Sequence, residues 1–189
     1  MDPALHAEKP SSHILLVGPR GSGKTTIGHS LARVRDLPFY DTDRMVEEVI
    51  REPIASFWAR EGEGSFRTLE SLVLQKLFGM KSGVVSTGGG IVLSSANREL
   101  ISRMGCVLYL SVSVEVLESR LSHWGNSRPR LNPQLQLSEE IRLTLRDRDP
   151  FYREIADYIV ETGGLSVSQV VVQISRLLGE DFLTRAGGV

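Results

Sequence analysis

Apolar residues along this chain fall into short continuous runs that alternate with stripes of helical period. His13–Val17 is an apolar run that stops at Gly18, the pattern of a buried strand. From Lys24 to about Arg35, Ile27, Leu31 and Val34 share one helical face. Leu37–Tyr40 reads as a second strand. Residues 42–79 read as mostly helical, with Phe66, Leu69, Val73 and Leu77 in one stripe and interruptions near Pro53 and at Glu61–Gly64. Val84–Ser86 predicts a third strand, 95–103 a helix, 105–110 a strand and 113–122 a helix. A polar stretch punctuated by glycine and proline, 123–133, reads as a loop. A helix over 138–148, a short strand near Tyr158–Val160 and a final helix with Val167, Val170, Val171, Ile174, Leu177 and Leu178 on one face complete the pattern. Strands alternating with helices predict a parallel sheet covered on both sides, with ligands beyond the carboxyl ends of the strands.

Composition narrows the function without choosing it. The 189 residues hold 41% hydrophobic and 24% charged residues, enough for one domain with a full core. The expected domain is 12–182, with 1–11 and 183–189 as loose tails. A net charge of −1 gives no reason to expect nucleic acid or an acidic membrane as partner. No apolar run approaches the roughly 20 residues that span a bilayer, and the N-terminus lacks the apolar core of a secretory signal. The single cysteine, Cys106, sits in an apolar run and reads as a buried strand thiol, in keeping with a cytoplasmic protein. The four histidines show no metal-ligand spacing.

Gly18-Pro-Arg-Gly-Ser-Gly-Lys-Thr25 matches GxxxxGK[ST] between a predicted strand and a predicted helix, the context a phosphate-binding loop requires. Gly21, Ser22, Gly23 and Thr26 join Lys24 and Thr25 as the expected nucleotide contacts. Backbone N–H groups converge on phosphate, Lys24 reaches the β- and γ-phosphates, and the Thr25 hydroxyl faces Mg²⁺. A GTPase reading fails, because the guanine-selecting Asn-Lys-x-Asp and the switch Asp-x-x-Gly are missing. No acid closes the third strand, so the metal's acidic partner must come from elsewhere.

The acceptor is the open question, and five features bear on it. Asp41-Thr-Asp43 follows the second strand and reads either as a helix cap or as two carboxylates turned into a site. Arg67 and Glu70 stand i, i+3 on a helix, either as a surface ion pair or at the edge of a buried face. Arg148 lies on the stripe of Ile141, Leu145 and Tyr152, where an arginine meets an anion or snorkels to solvent. Arg128, in the loop, suggests a lid over phosphates, and Arg120, one turn before it, a flank for the nucleotide base. Finally, Val-Ser-Thr-Gly-Gly-Gly-Ile-Val (85–92) sets three glycines in a row, which points to something pressing close to that backbone.

In this order, Gly18–Thr25, Asp41-Thr-Asp43, Gly62-Glu-x-x-Phe-Arg67-x-x-Glu70, Gly88–Gly90, Arg128-Pro129 and Arg148 through Tyr152-Arg153 resemble the shikimate kinase family over about residues 12–180. The resemblance implies a three-layer α/β P-loop kinase fold with a five-stranded parallel sheet of order 2-3-1-4-5. It also implies substrate-binding helices at about 42–79 and a lid at about 122–136. It implies transfer of the γ-phosphoryl of ATP to the 3-hydroxyl of shikimate in aromatic amino-acid biosynthesis, with Mg²⁺, by a monomer. By similarity, Asp43 holds ring hydroxyls and acts as base, Arg67 and Arg148 clamp the substrate carboxylate, and Gly89 with Gly88 and Gly90 meets the ring through backbone. Trp58 takes a pocket-wall place, Asp41 supports Mg²⁺ through water, and Arg128 is the lid arginine. The lid departs from the common Arg-Pro-Leu-Leu by carrying Arg130, and Thr162–Leu165 lacks an arginine often found near the adenine. The competing readings are a gluconate-kinase-like small-metabolite kinase and a non-catalytic ligand sensor of the same fold.

Overall fold

The computed structural model describes residues 12–123 and 134–179. Most of the expected lid, with Arg128 and Arg130, and the expected tails lie outside the described residues. Five strands, β1 (His13–Val17), β2 (Phe39–Asp41), β3 (Val84–Ser86), β4 (Gly105–Ser111) and β5 (Tyr158–Glu161), pair in parallel in the order β2-β3-β1-β4-β5. The helices are α1 (Lys24–Val34), α2 (Thr42–Ile50), α3 (Ile54–Phe78), α4 (Ser95–Met104), α5 (Val114–His123), α6 (Leu137–Ile155) and α7 (Val167–Leu178).

The two-residue period of the strands divides the core. Leu15 and Val17 of β1, with Val85, Val107 and Tyr109, face the side covered by α2, α3, α4 and α6. Ile14 and Leu16, with Val84, Cys106, Leu108 and Leu110, face α1 and α7. Because β1 is central and covered on both faces, every residue in it is buried, which is why it reads as an unbroken apolar run. Cys106 is buried as expected, and burial pushes its thiol up to about 12.

Two boundaries carry information. Gly62 interrupts α3 at φ 79° and ψ 174°, inside the break expected at Glu61–Gly64. Nothing crowds its absent side chain, so the requirement there is conformational. Helix α6 runs past the predicted end at 148 and through Pro150 to Ile155. An interior proline costs about 3 kcal/mol. Tyr152 and Ile155 beyond it are buried in the core, and burial of a large apolar side chain returns roughly 1.5–3 kcal/mol each.

At the opposite end of the sheet from the strand carboxyl ends, His13 is buried. Its Nε2 lies 3.0 Å from the Leu77 carbonyl, while Nδ1 is enclosed without a partner. Burial holds this imidazole below its usual range, against backbone hydrogen bonding that pulls it back up.

Candidate active site

The parallel register brings three strand ends together. Asp41 pairs with Ser86, and Ser86 with Leu16, one residue before β1 ends and the phosphate loop begins. The loop enters α1 through Gly23, left-handed at φ 95°, a turn that favours glycine. Lys24 is buried over the loop, its Nζ donating to the carbonyls of Gly18 (2.8 Å) and Pro19 (2.7 Å).

Thr25 Oγ1 donates to Asp41 Oδ2 at 2.9 Å and lies 3.3 Å from Ser86 Oγ. Asp41 Oδ1 accepts from the backbone N–H of Asp43 (3.1 Å) and Arg44 (3.3 Å), capping α2. One Asp41 oxygen thus serves the helix-cap reading, and the other meets the Thr25 hydroxyl. With serine closing β3, the carboxylate beside Thr25 is supplied by β2.

A cleft of about 310 Å³ opens here, lined by Arg20, Gly21, Gly23, Lys24, Thr25, Thr26, Asp43, Ser86, Thr87 and Gly89. The capping oxygens belong to Asp41, and Asp43 lines the cleft beside the phosphate loop. A second hollow of about 220 Å³ lies behind the loop, lined by Gly21, Ser22, Gly23, Thr26, Arg120, Thr162 and Leu165, among others. Arg120 donates to the carbonyls of Gly21 (3.0 Å) and Thr162 (3.2 Å), joining the loop to the turn after β5.

Three separated elements converge on Gly88–Gly90. From α3, Arg67 donates to Glu70 Oε2 at 2.7 Å and to Glu63 Oε1, and its guanidinium centre lies 5.4 Å from the Trp58 ring and 5.2 Å from Phe66. From α6, Arg148 comes close enough to act electrostatically on both Glu70 and Tyr152. From α2, Thr42 Oγ1 accepts from Gly88 N–H at 2.8 Å. Arg67 bonds the buried Glu70 carboxylate and abuts Gly90, and Arg148 acts electrostatically on the same carboxylate.

The glycines are explained by what stands beside them. A Cβ on Gly88 would lie 2.5 Å from Glu70 Oε1 and 2.7 Å from Asp43 Oδ1. One on Gly90 would fall within the Arg67 guanidinium. One on Gly89 would meet only ordinary neighbours, 3.4 Å from Arg20 N and Gly18 O. None of the three has positive φ, so the demand is for volume and not for an unusual turn. Of the triplet, Gly88 and Gly90 make room for the protein's own charged groups, and Gly89 lines the cleft.

Sequence reasoning undervalued two residues. Glu70 is only 1% exposed, and its Oε1 is enclosed without a hydrogen-bond partner. Burial raises its carboxyl, Arg67 and Arg148 pull it down, and Asp43 pushes it up. Tyr152 is fully buried, its hydroxyl donating to Gly89 O at 2.5 Å and its ring stacked 5.1 Å from that of Tyr109. Both positions were visible as members of the quoted motifs. The apolar stripe through Ile141, Leu145 and Tyr152 hints at burial of Tyr152, but spacing alone gives no sign that Glu70 is enclosed.

The surroundings suit a phosphorylated ligand next to an anionic one. Backbone N–H groups, a lysine and a hydroxyl–carboxylate pair stand on one side, and two arginines and a carboxylate on the other. The family model for shikimate kinase matches residues 20–178. A shikimate kinase of Nitrosococcus oceani is 42% identical over 166 residues, 88% of this chain and 86% of that protein. A shikimate kinase from Acinetobacter baumannii, solved in complex with shikimate, superposes with TM-score 0.83 at 36% identity, covering 90% of this chain and 94% of that one. The shikimate kinase of Bacteroides thetaiotaomicron gives TM-score 0.77 at 31% identity over 88% of this chain and 98% of that one. A gluconokinase from Sinorhizobium meliloti, at 17% identity and TM-score 0.56, shares the fold alone. Sequence, topology and the ordered motifs agree, and the chain belongs to the shikimate kinase family.

Proposed function

We propose that this protein transfers the γ-phosphoryl group of ATP to the 3-hydroxyl of shikimate, releasing ADP and shikimate 3-phosphate. The observation that carries the reading is the position of Asp43, whose side chain lines the same cleft as Lys24, Thr25 and Gly89. An acceptor hydroxyl in that cleft meets a carboxylate on one side and the phosphate loop on the other. Asp43 orients that hydroxyl and takes its proton as the new O–P bond forms and the bond to the ADP oxygen breaks. Lys24 and the loop N–H groups hold the phosphates, and the hollow behind the loop, with Arg120, receives the base. Arg67 and Arg148 hold the carboxylate of the ring against Gly89, with Trp58 backing Arg67. The lid role of Arg128 is assigned from the sequence alone.

The donor set fits Mg²⁺. Thr25 Oγ1, exposed and bonded to Asp41 Oδ2, offers hard oxygens, and no group of three or more His, Cys, Asp or Glu ligands forms a dedicated metal cage among the described residues. That is the arrangement for an ion held mainly by phosphate and water, with Thr25 as the protein ligand and Asp41 acting through water. When bound, the ion neutralises charge building on the phosphate oxygens. No helix among the described residues is long and apolar enough to cross a membrane. We infer a monomer acting in the cytoplasm.

The test is ADP release by the purified protein with ATP and Mg²⁺, with and without shikimate. Shikimate-dependent release, with gluconate inert, is the expected result. Release driven by gluconate, or ligand binding with no turnover, overturns the reading in favour of the two competitors.

A further inference from the structure

The turn that leaves the glycine triplet is held by α4, a helix that does not line the cleft. Ile91–Leu93 forms a single turn of 3₁₀ helix, with Ile91 N–H donating to Gly88 O at 3.3 Å and Leu93 N–H to Gly90 O at 3.0 Å. Hydrogen bonds in such a turn are poorly aligned, so by itself it fixes the backbone before it only weakly. Two consecutive residues of α4 reach back to it. Asn97, buried, donates from Nδ2 to the Ile91 carbonyl at 3.2 Å. Arg98 donates from one terminal nitrogen to the carbonyls of Val92 (2.8 Å) and Leu93 (3.4 Å).

The same guanidinium touches α6, on the turns that follow Arg148. Its centre lies over the Phe151 ring, 4.3 Å from the centroid, and its Nε donates to Glu154 at 3.2 Å. Only 14% of the Arg98 side chain is exposed, against 54% for Glu154. Water screens the ion pair, so the ring and the two carbonyls are the firmer contacts. A guanidinium suits this place because it is flat: one face rests on a ring while its edge donates in two directions. Helix α6 also meets the glycine segment directly, through the Tyr152 hydroxyl on the Gly89 carbonyl at 2.5 Å. The stretch from Gly89 to Leu93 is therefore tied to α6 at both ends, by Tyr152 at one and by Arg98 at the other.

We propose that Arg98 is a positioning residue for the acceptor. It sets the distance and angle between α6 and the glycine segment, so that the helix and the backbone floor of the cleft at Gly89 meet shikimate in fixed register. It does not touch the substrate or the reacting atoms. The contacts that carry this role are to Val92, Leu93, Phe151 and Glu154, and none of these residues belongs to the phosphate loop. The effect therefore falls on the acceptor and not on ATP. This inference rests on the shikimate reading proposed above.

The test is Arg98→Met, which keeps a long side chain and removes every donor. Expected is a rise of about tenfold in the shikimate KM, the scale of a modest misplacement of binding groups, with the ATP KM and kcat within about threefold of wild type. Arg98→Lys keeps the charge and a donor for the carbonyls but loses the flat face, and should raise the shikimate KM by about threefold with a melting temperature near wild type. It decides the matter if the methionine variant does not fold. Ile101→Val, a core truncation on the same helix, is the control for lost stability. Its melting temperature should fall while the ratio of the two KM values stays at wild type. An unchanged shikimate KM in the Arg98 variants, equal rises in both KM values, or the same selective rise in Ile101→Val overturns the proposal. A wild-type protein without shikimate-dependent turnover sinks the functional reading itself, and is seen before any variant is made.

Discussion

On the phosphate side of the cleft, eight consecutive residues, Gly18–Thr25, supply the backbone donors, the ammonium and the hydroxyl. On the acceptor side, the corresponding work falls to side chains from α2, α3 and α6 gathered over one glycine loop, from Asp43 to Tyr152. The first arrangement is local and mostly backbone. The second depends on how distant helices pack. The phosphate side should therefore tolerate changes in helix packing, and the acceptor side should register them as lost affinity for the ring.

The comparison can be broken most sharply at the junction. Asp43→Asn should lower kcat by about 10²–10⁴, the usual worth of a general base, while ATP still binds with near wild-type affinity in a calorimetric titration. Retained turnover would show that Asp43 belongs to neither side. Next in size, Arg148→Ala should raise the shikimate KM by about 10–150-fold, the cost of a lost charge-assisted contact, with the ATP KM unchanged. Equal rises in both would erase the distinction between the two sides. Gly90→Ala forces a methyl into the Arg67 guanidinium, and the shikimate KM should rise by roughly tenfold, the effect of a modest misplacement. Gly89→Ala, with contacts no closer than 3.4 Å inside the protein, should hurt only when the cleft is occupied, so shikimate binding falls while the melting temperature holds.

The smallest effect belongs to neither side and serves as a control. His13 is buried with its pKa lowered, so folding favours the neutral ring. Its contribution is fully present above the unfolded value of about 6.5 and is lost as pH falls below it. Between pH 7 and 5, wild type should lose stability that His13→Gln does not lose, as read from denaturant midpoints, with both KM values unaffected. A parallel pH dependence in the two proteins would remove His13 as the cause.

The same contrast explains what the sequence revealed. A contiguous loop between an apolar run and a helical stripe can be read directly, because every part of its chemistry is spelled in one place. A parallel sheet covered on both faces also follows from runs such as His13–Val17 alternating with helical stripes, whereas the strand order is implied only by the family resemblance. Glu70 could not be read in this way. An i, i+3 pair with Arg67 looks the same on paper whether it faces water or the core, and only the packing of α3 against the loop shows that it is enclosed. Helix α6 runs beyond the predicted end at 148 for a related reason: burial of Tyr152 and Ile155 carries it through Pro150, and that burial depends on β4 and on core residues far away in sequence. The glycine triplet was correctly marked as a place of close approach. The sequence could not say that two of its three members accommodate the protein itself.

That sharing of space constrains how the pocket can be altered. Gly88 and Gly90 lend their missing volume to Asp43, Glu70 and Arg67. Enlarging those loop positions first would dislodge existing groups and create no new contact. A lineage or a designer seeking a different acceptor must begin with substitutions at 43, 67 or 70 and only afterwards fill the loop. The order of changes is built into the architecture, and intermediates taken in the reverse order should be the inactive ones.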